Sequence, residues 1–229
     1  MKRSFDPAVL EMMDRPQPVS PELERDLERL RQLNRWFGSY SLVSFFMRRW
    51  MMPGTQMRIV DLATGSGDIP RLLVDHARRI GAQIQIDAVD RQAATLEIAR
   101  GLSADYPEIS YHAANILEWD CPQGYDIALC SLVLHHFSDD DAVRLLQRCR
   151  ALSRRFALVS DLRRGFLLRA GVYMLTALIF REPMTVFDAR LSADRAFSFG
   201  EMRDLAIKAG WKNFRCKKFS VARQAIWLE

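Results

Sequence analysis

A chain of 229 residues, 49% hydrophobic and 27% charged, suits one globular domain with a sizeable core and leaves little room for a second. Its net charge of +5 mildly favours anionic partners. The arginines are scattered, however, and the densest basic run, residues 208–223, reads as exposed faces of C-terminal strands, so a nucleic-acid partner is not expected. Cys121, Cys130, Cys149 and Cys216 include no pair at CxxC spacing, which speaks against a zinc or dithiol motif. With no leader pattern, free thiols in the cytoplasm are expected.

Residues 1–19 contain prolines and little patterning, and read as a loose arm. A helix start follows: Ser20 as cap, Pro21 in the first position, Glu22 and Glu24 in the first turn, then Leu23, Leu27, Leu30 and Leu33 at helical spacing. A second apolar helix is expected over 41–51, ending at Pro53-Gly54. Strands are expected at 57–62, 84–89, 109–114, 125–130 and 156–160, and helices at 69–80, 92–102 and 142–152. This alternation argues for a parallel sheet covered on both faces. The apolar run 165–180, GFLLRAGVYMLTALIF, is interrupted by Arg169 and is shorter than the ~20 residues that span a bilayer. It is expected to be a covering or interfacial helix, which leaves a peripheral membrane contact open. Residues 183–193 read as irregular. A helix over 200–209 follows, with Ser198 and Glu201 at capping-box spacing. Residues 213–221 and 222–228 then read as adjacent strands, so one strand must run antiparallel.

The most informative stretch is IVDLATGSGDIP, Ile59 to Pro70, where a buried strand enters a loop with Gly65 and Gly67 and a helix follows. Glycines allow positive φ and a close approach of ligand to backbone. The carboxyl end of a parallel strand is where such sheets bind ligands. The next strand ends in Asp90, placed to accept hydrogen bonds from ribose hydroxyls. A dinucleotide loop would want a third glycine where Pro70 stands, and a phosphate loop would want Gly-Lys-Ser/Thr.

The segment resembles motif I of class I S-adenosylmethionine (SAM)-dependent methyltransferases, roughly acidic-L-x-x-G-x-G, and the likeness extends over residues 57–228. In layout the chain is similar to the ubiquinone/menaquinone-type small-molecule methyltransferases. The resemblance implies SAM as cofactor, with S-adenosylhomocysteine (SAH) as product. It also implies a Rossmann-like α/β fold with a seven-stranded sheet in the order 3-2-1-4-5-7-6, strand 7 antiparallel. Asp61, Ala63, Thr64, Gly65 and Gly67 fall on the motif, Asp90 and Arg91 on the ribose site, and Asn115 and Ile116 on the adenine site. Ser131 and Leu132 fall near the methionine end. Residues 1–55 would form an N-terminal helical cap, and 56–229 the methyltransferase domain with a lid-like insertion at about 165–195.

Methyl transfer to a hydroxyl gains from a general base. His135 and His136, just after the fourth strand, are the candidates. A metal set made with Asp139–Asp141 is set aside, because Ser138 as cap before three first-turn acids accounts for those residues, and no metal is expected. Arg163 and Arg164 are candidates to hold an acceptor carboxylate or phenolate, and Phe166 and Tyr173 to contact its apolar part. The expected activity is transfer of a methyl group from SAM to a small, fairly apolar hydroxylated molecule (phenolic, polyketide or quinol-like) by O-methylation. The alternatives are an RNA or protein methyltransferase and a non-catalytic SAM-binding subunit. A homodimer is left open.

Overall fold

A computed structural model describes residues 2–179, 182–219 and 222–229. Two helices, α1 (Pro21–Trp36) and α2 (Ser39–Trp50), precede an alternation of β1 (Gln56–Leu62), α3 (Asp68–Ile80), β2 (Gln83–Asp90), α4 (Ala93–Leu102), β3 (Ile109–Ala113), β4 (Tyr125–Ser131), α5 (Asp139–Leu152) and β5 (Ser153–Leu162). Then come α6 (Phe166–Leu178), α7 (Pro183–Arg195), α8 (Phe199–Lys208), β6 (Arg215–Phe219) and β7 (Arg223–Leu228). Phe180, at the end of the apolar run, and Ser220 and Val221, at the end of the expected strand 213–221, lie outside the described residues.

The strands form one sheet in the order β3-β2-β1-β4-β5-β7-β6. β1 to β5 pair in parallel, while β7 runs antiparallel to both β5 and β6. This is the topology that the resemblance implied. Period-2 alternation along β1 sends Met57 and Ile59 to the face covered by α2 and α3, and Val60 and Leu62 to the face covered by α5 and α8. On the α2 side, Trp50 stacks on Phe156 with ring centroids 4.6 Å apart, and Phe46 meets Trp227 edge-on at 4.9 Å. Each such large apolar side chain stabilises the fold by about 1.5–3 kcal/mol relative to exposure. Helix starts follow the capping signals. Ser20 Oγ accepts the Leu23 N–H, Ser138 Oγ accepts that of Asp141, and Ser198 and Glu201 make both halves of a capping box.

Two sequence expectations do not hold. Residues 183–193 are not irregular but belong to α7, which begins with Pro183 in its first position. Their helical pattern was hidden because the buried face is largely polar: Thr185, Asp188 and Arg195 alongside Ala193. That face is covered by the N-terminal arm, which is docked rather than loose. Asp188 accepts the Met12 and Met13 N–H groups at 2.6 and 3.0 Å. Ser192 donates to Glu11, and Arg195 donates to the Asp6 and Val9 carbonyls. Arg3 reaches across to the His135 and Phe137 carbonyls and to Asp139.

Among the described residues no helix is long and apolar enough to cross a membrane. The 13-residue α6 nevertheless exposes Phe166 and Leu167 (79% and 82%) together with Met174 and Leu178, and Ile179 just past its end is exposed as well.

At Gly67 the turn from β1 into α3 has φ +71°, and a Cβ would lie 2.2 Å from the Tyr111 Oη. That hydroxyl is tied to Ser103 Oγ at 2.7 Å, and Arg71 bridges Ser103 and the Ser66 carbonyl. Gly67→Ala therefore adds left-handed strain to a steric clash. It is expected to cost about 1–3 kcal/mol or more, read as a drop in Tm of several degrees by calorimetry.

Candidate active site

The strand order reverses between β1 and β4, and the loops beyond their carboxyl ends open into a cavity of about 700 Å3. Two non-glycine residues there have left-handed backbones, Ala63 after β1 (φ 59°) and Leu132 after β4 (φ 59°). Such conformations cost of order 1 kcal/mol or more and are characteristic of functional loops. Both turns are pinned by main-chain bonds that extend the sheet: Thr64 N–H to the Val89 carbonyl and Leu132 N–H to that of Ser160.

The cavity wall brings together Asp61, Ala63, Thr64, Gly65, Asp90, Arg91, Asn115, Ile116, Ser131 and Leu132, ten of the eleven residues singled out as cofactor contacts. The eleventh, Gly67, lies behind the wall and serves the turn against Tyr111. A Cβ at Gly65 would meet nothing within 4 Å, so its backbone faces open space. Asp90 receives the Gly65 N–H on one carboxylate oxygen (2.9 Å) and the Gln92 N–H on the other (3.0 Å). A carboxylate offers about four acceptor sites, so each oxygen can take one bond more. Asn115 is partly committed: its Oδ1 accepts the Leu117 N–H and its Nδ2 donates to Glu118.

Asp61 is buried beneath the loop. Burial pushes its carboxyl from 3.8 up to about 7, with Asp68 and Asp90 adding repulsion. A carboxyl with a raised folded value contributes stability that is fully present below its unfolded value and is lost as the pH rises through the folded one. The Tm of the ligand-free protein is therefore expected to fall between about pH 4 and 8, and Asp61→Asn to flatten that slope in a pH series of thermal melts.

The histidines lie in a short 3-10 turn, Leu134–His136, after β4. His135 is buried and held twice by Asp161, the fully buried acid near the end of β5. Its backbone N–H lies 2.8 Å from Oδ2 and its Nδ1 lies 2.7 Å from Oδ1. His136 Nδ1 lies 2.7 Å from Asp14 of the docked arm. Burial pulls the His136 imidazole down, but the charges of Glu11 and Asp14 and the Asp14 hydrogen bond outweigh it and raise it to about 9. Both rings line the cavity, as do Glu11 and Asp14.

Of the four acceptor candidates, Arg163 and Phe166 line the cavity, while Arg164 and Tyr173 do not. Arg164 turns to Glu201 (2.7 Å) and the Ala196 carbonyl, closing the start of α8. Tyr173 lies on the outer side of α6, with the Arg190 guanidinium 4.7 Å from its ring centroid. Asp139–Asp141 stay on the first turn of α5, where Asp139 pairs with Arg3 and Asp141 with Arg144.

Four residues escaped the sequence. Glu11 and Asp14 come from the arm, and nothing in its composition signalled them. Asp161 stood at the end of a strand without an assigned partner. Arg223, at the start of β7, is buried against the cavity with its Nε on Ser39 Oγ at 3.0 Å, and burial lowers its guanidinium to about 10.

Residues 59–155 match a family model described as a methyltransferase domain. Over those residues the chain is similar to a methyltransferase domain, its sheet has the topology that the class I resemblance implied, and the cofactor of that class is SAM. No curated protein matches the sequence. Among solved structures, the domain superposes on the citrinin polyketide synthase CMeT domain with TM-score 0.66 at 14% identity, covering 91% of this chain and 56% of that one. It superposes on the plantazolicin methyltransferase BpumL, crystallised with SAH and a monoazolic desmethylPZN analogue, with TM-score 0.64 at 12% identity, covering 90% and 89%. Human N-acetylserotonin methyltransferase with SAM gives TM-score 0.63 at 16% identity, covering 89% and 54%. The chain thus spans little more than half the length of two of these. At such identities the likeness is one of fold.

Proposed function

We propose that the protein transfers the methyl group of SAM to a hydroxyl of a small, fairly apolar acceptor of phenolic, polyketide or quinol-like character. The observation that carries this is one cavity with two unlike walls. The loops after β1, β2 and β4 supply the polar cofactor wall. The other wall is apolar, from Leu27, Leu30 and Leu33 of α1 and Leu168, Val172 and Leu175 of α6. A volume of about 700 Å3 suits small molecules. The names of the structural neighbours, which include a polyketide synthase domain and an N-acetylserotonin enzyme, support a small acceptor.

In this assignment Gly65 presents its backbone to the cofactor, Asp90 accepts from the ribose hydroxyls with Arg91 beside it, and Ile116 packs on the adenine with Asn115 at its edge. Ser131, Leu132, Ala63, Thr64 and Asp61 surround the methionine portion. Bound SAM would supply an activated methyl group, which the acceptor oxygen would take as SAH is released, and His135 Nε2 would receive the hydroxyl proton. Asp161 holds that ring by its Nδ1 and stabilises the imidazolium that results. Arg163 and Arg223 supply positive charge at the same wall, and Phe166 stands at the mouth.

The test is to titrate SAM and NADH separately into the protein by calorimetry, and then to screen phenolic, quinol and polyketide-like acceptors for methyl transfer from labelled SAM. SAM binding together with turnover on a hydroxylated acceptor supports the proposal. NADH binding without SAM binding overturns it.

A further inference from the structure

We propose that Glu11, His135 and His136 form a binding site for one divalent transition-metal ion in the wall of the cavity. The Nε2 atoms of His135 and His136 lie 4.0 and 3.7 Å from Glu11 Oε1, and the ligand atoms of the three residues all fall within 4.8 Å of one another. Direct hydrogen bonds would bring nitrogen and oxygen to about 2.7–3.2 Å. Among the described residues neither Nε2 has a hydrogen bond. Three ligands in a trigonal arrangement at ~2.1 Å from an ion stand about 3.6 Å apart. The Glu11 contacts are thus too long for direct hydrogen bonds and near the separation of ligands that share one ion.

The outer partners point the same way. Each imidazole has its Nδ1 held at 2.7 Å by a separate carboxylate, Asp161 for His135 and Asp14 for His136. These Nδ1 bonds hold each ring with Nε2 toward Glu11, the arrangement found around metal-binding histidines, and an ion that binds displaces the Nε2 proton of His136. Glu11 is oriented in turn by Ser192 Oγ at 2.7 Å. Two imidazoles and one carboxylate make a donor set suited to Zn2+, Mn2+ or Fe2+ that leaves coordination positions open. All three residues line the cavity, so those positions face it. With an ion bound, His135 Nε2 is a ligand and cannot also accept the proton, so a hydroxyl seated there would be polarised by the ion and lose its proton to solvent instead. This last step rests on the proposed acceptor site, whereas ion binding itself does not.

The 229-residue chain, stripped with EDTA, would be titrated with Zn2+ against a chromophoric chelator and with Co2+ followed by its visible absorption. One ion per chain is expected, with an affinity on the order of micromolar or tighter. Glu11→Gln and His136→Asn are each expected to weaken it at least ~10-fold, and Asp14→Asn by about 10–100-fold. SAM affinity, measured on the same variants, should stay within about twofold and report intact folding. Absence of stoichiometric Zn2+ or Co2+ binding to wild type, or wild-type affinity in both ligand variants, overturns the site. Metal binding as expected without SAM binding would overturn the methyltransferase assignment and leave the metal site standing. SAM binding by a chain that takes no ion would do the reverse.

Discussion

Asp161→Asn is expected to lower kcat by ~10²–10⁴-fold while leaving SAM affinity nearly unchanged. The carboxylate accepts three bonds, from the His135 N–H at 2.8 Å, from His135 Nδ1 at 2.7 Å and from the Leu162 N–H at 2.7 Å. An amide of the same shape has one oxygen. Its NH2 must then face a donor, so either the turn after β4 shifts or the imidazole gives up the tautomer that directs its Nε2 lone pair into the cavity. The buried negative charge that offsets the forming imidazolium is lost as well. Asp161 does not line the cavity, so cofactor contacts are untouched. Single-turnover rates with the best acceptor, alongside SAM calorimetry, make the check. A variant that keeps kcat within threefold would remove His135 from proton transfer. Because Arg223 would lose the partner that favours its charge, the thermal melt of the variant should accompany the rates. His135→Gln, which leaves Asp161 in place, gives the same loss by a second route.

Asp90→Ala should weaken SAM binding by ~10²-fold or more. Two charge-assisted bonds to ribose hydroxyls are worth about 1.5–3 kcal/mol each, and every 1.4 kcal/mol is tenfold. Truncation also strips the partners from the Gly65 and Gln92 N–H groups, so the glycine loop loses its tie to the end of β2. Asp90→Asn keeps one acceptor and should lose about tenfold. Calorimetric titration measures both, and wild-type affinity in the alanine variant would show that the cofactor's sugar lies elsewhere.

The alternating strands and helices, the two glycines and the acid at the end of β2 were legible because each follows a local rule: a hydrophobic period, a positive φ, a spacing of about 25 residues. The same locality explains the failures. The helix α7 buries Thr185, Asp188 and Arg195, so its inward face looks like a surface. Arg164 and Arg163 are neighbours in sequence, and only packing against Glu201 tells which one turns away from the cavity. Glu11 and Asp14 reach the histidines from more than 120 positions away, bridging a separation that no window of sequence spans.

That separation also bears on the order of events during synthesis. The hydrogen bonds from the arm to the rest of the chain join residues 77 to 192 positions apart, among the longest-range contacts in the chain. Its first residues leave the ribosome long before α7 or the turn after β4 exists to receive them. The sheet can pair and the core can close without them, since Leu23 is the earliest residue in the apolar core. Docking of the arm therefore comes last, after the loop-closure entropy of nearly the whole chain has been overcome. The pocket is completed only when the arm meets α7 and the turn after β4, and a partly made chain, though folded in its first strands, lacks a finished site.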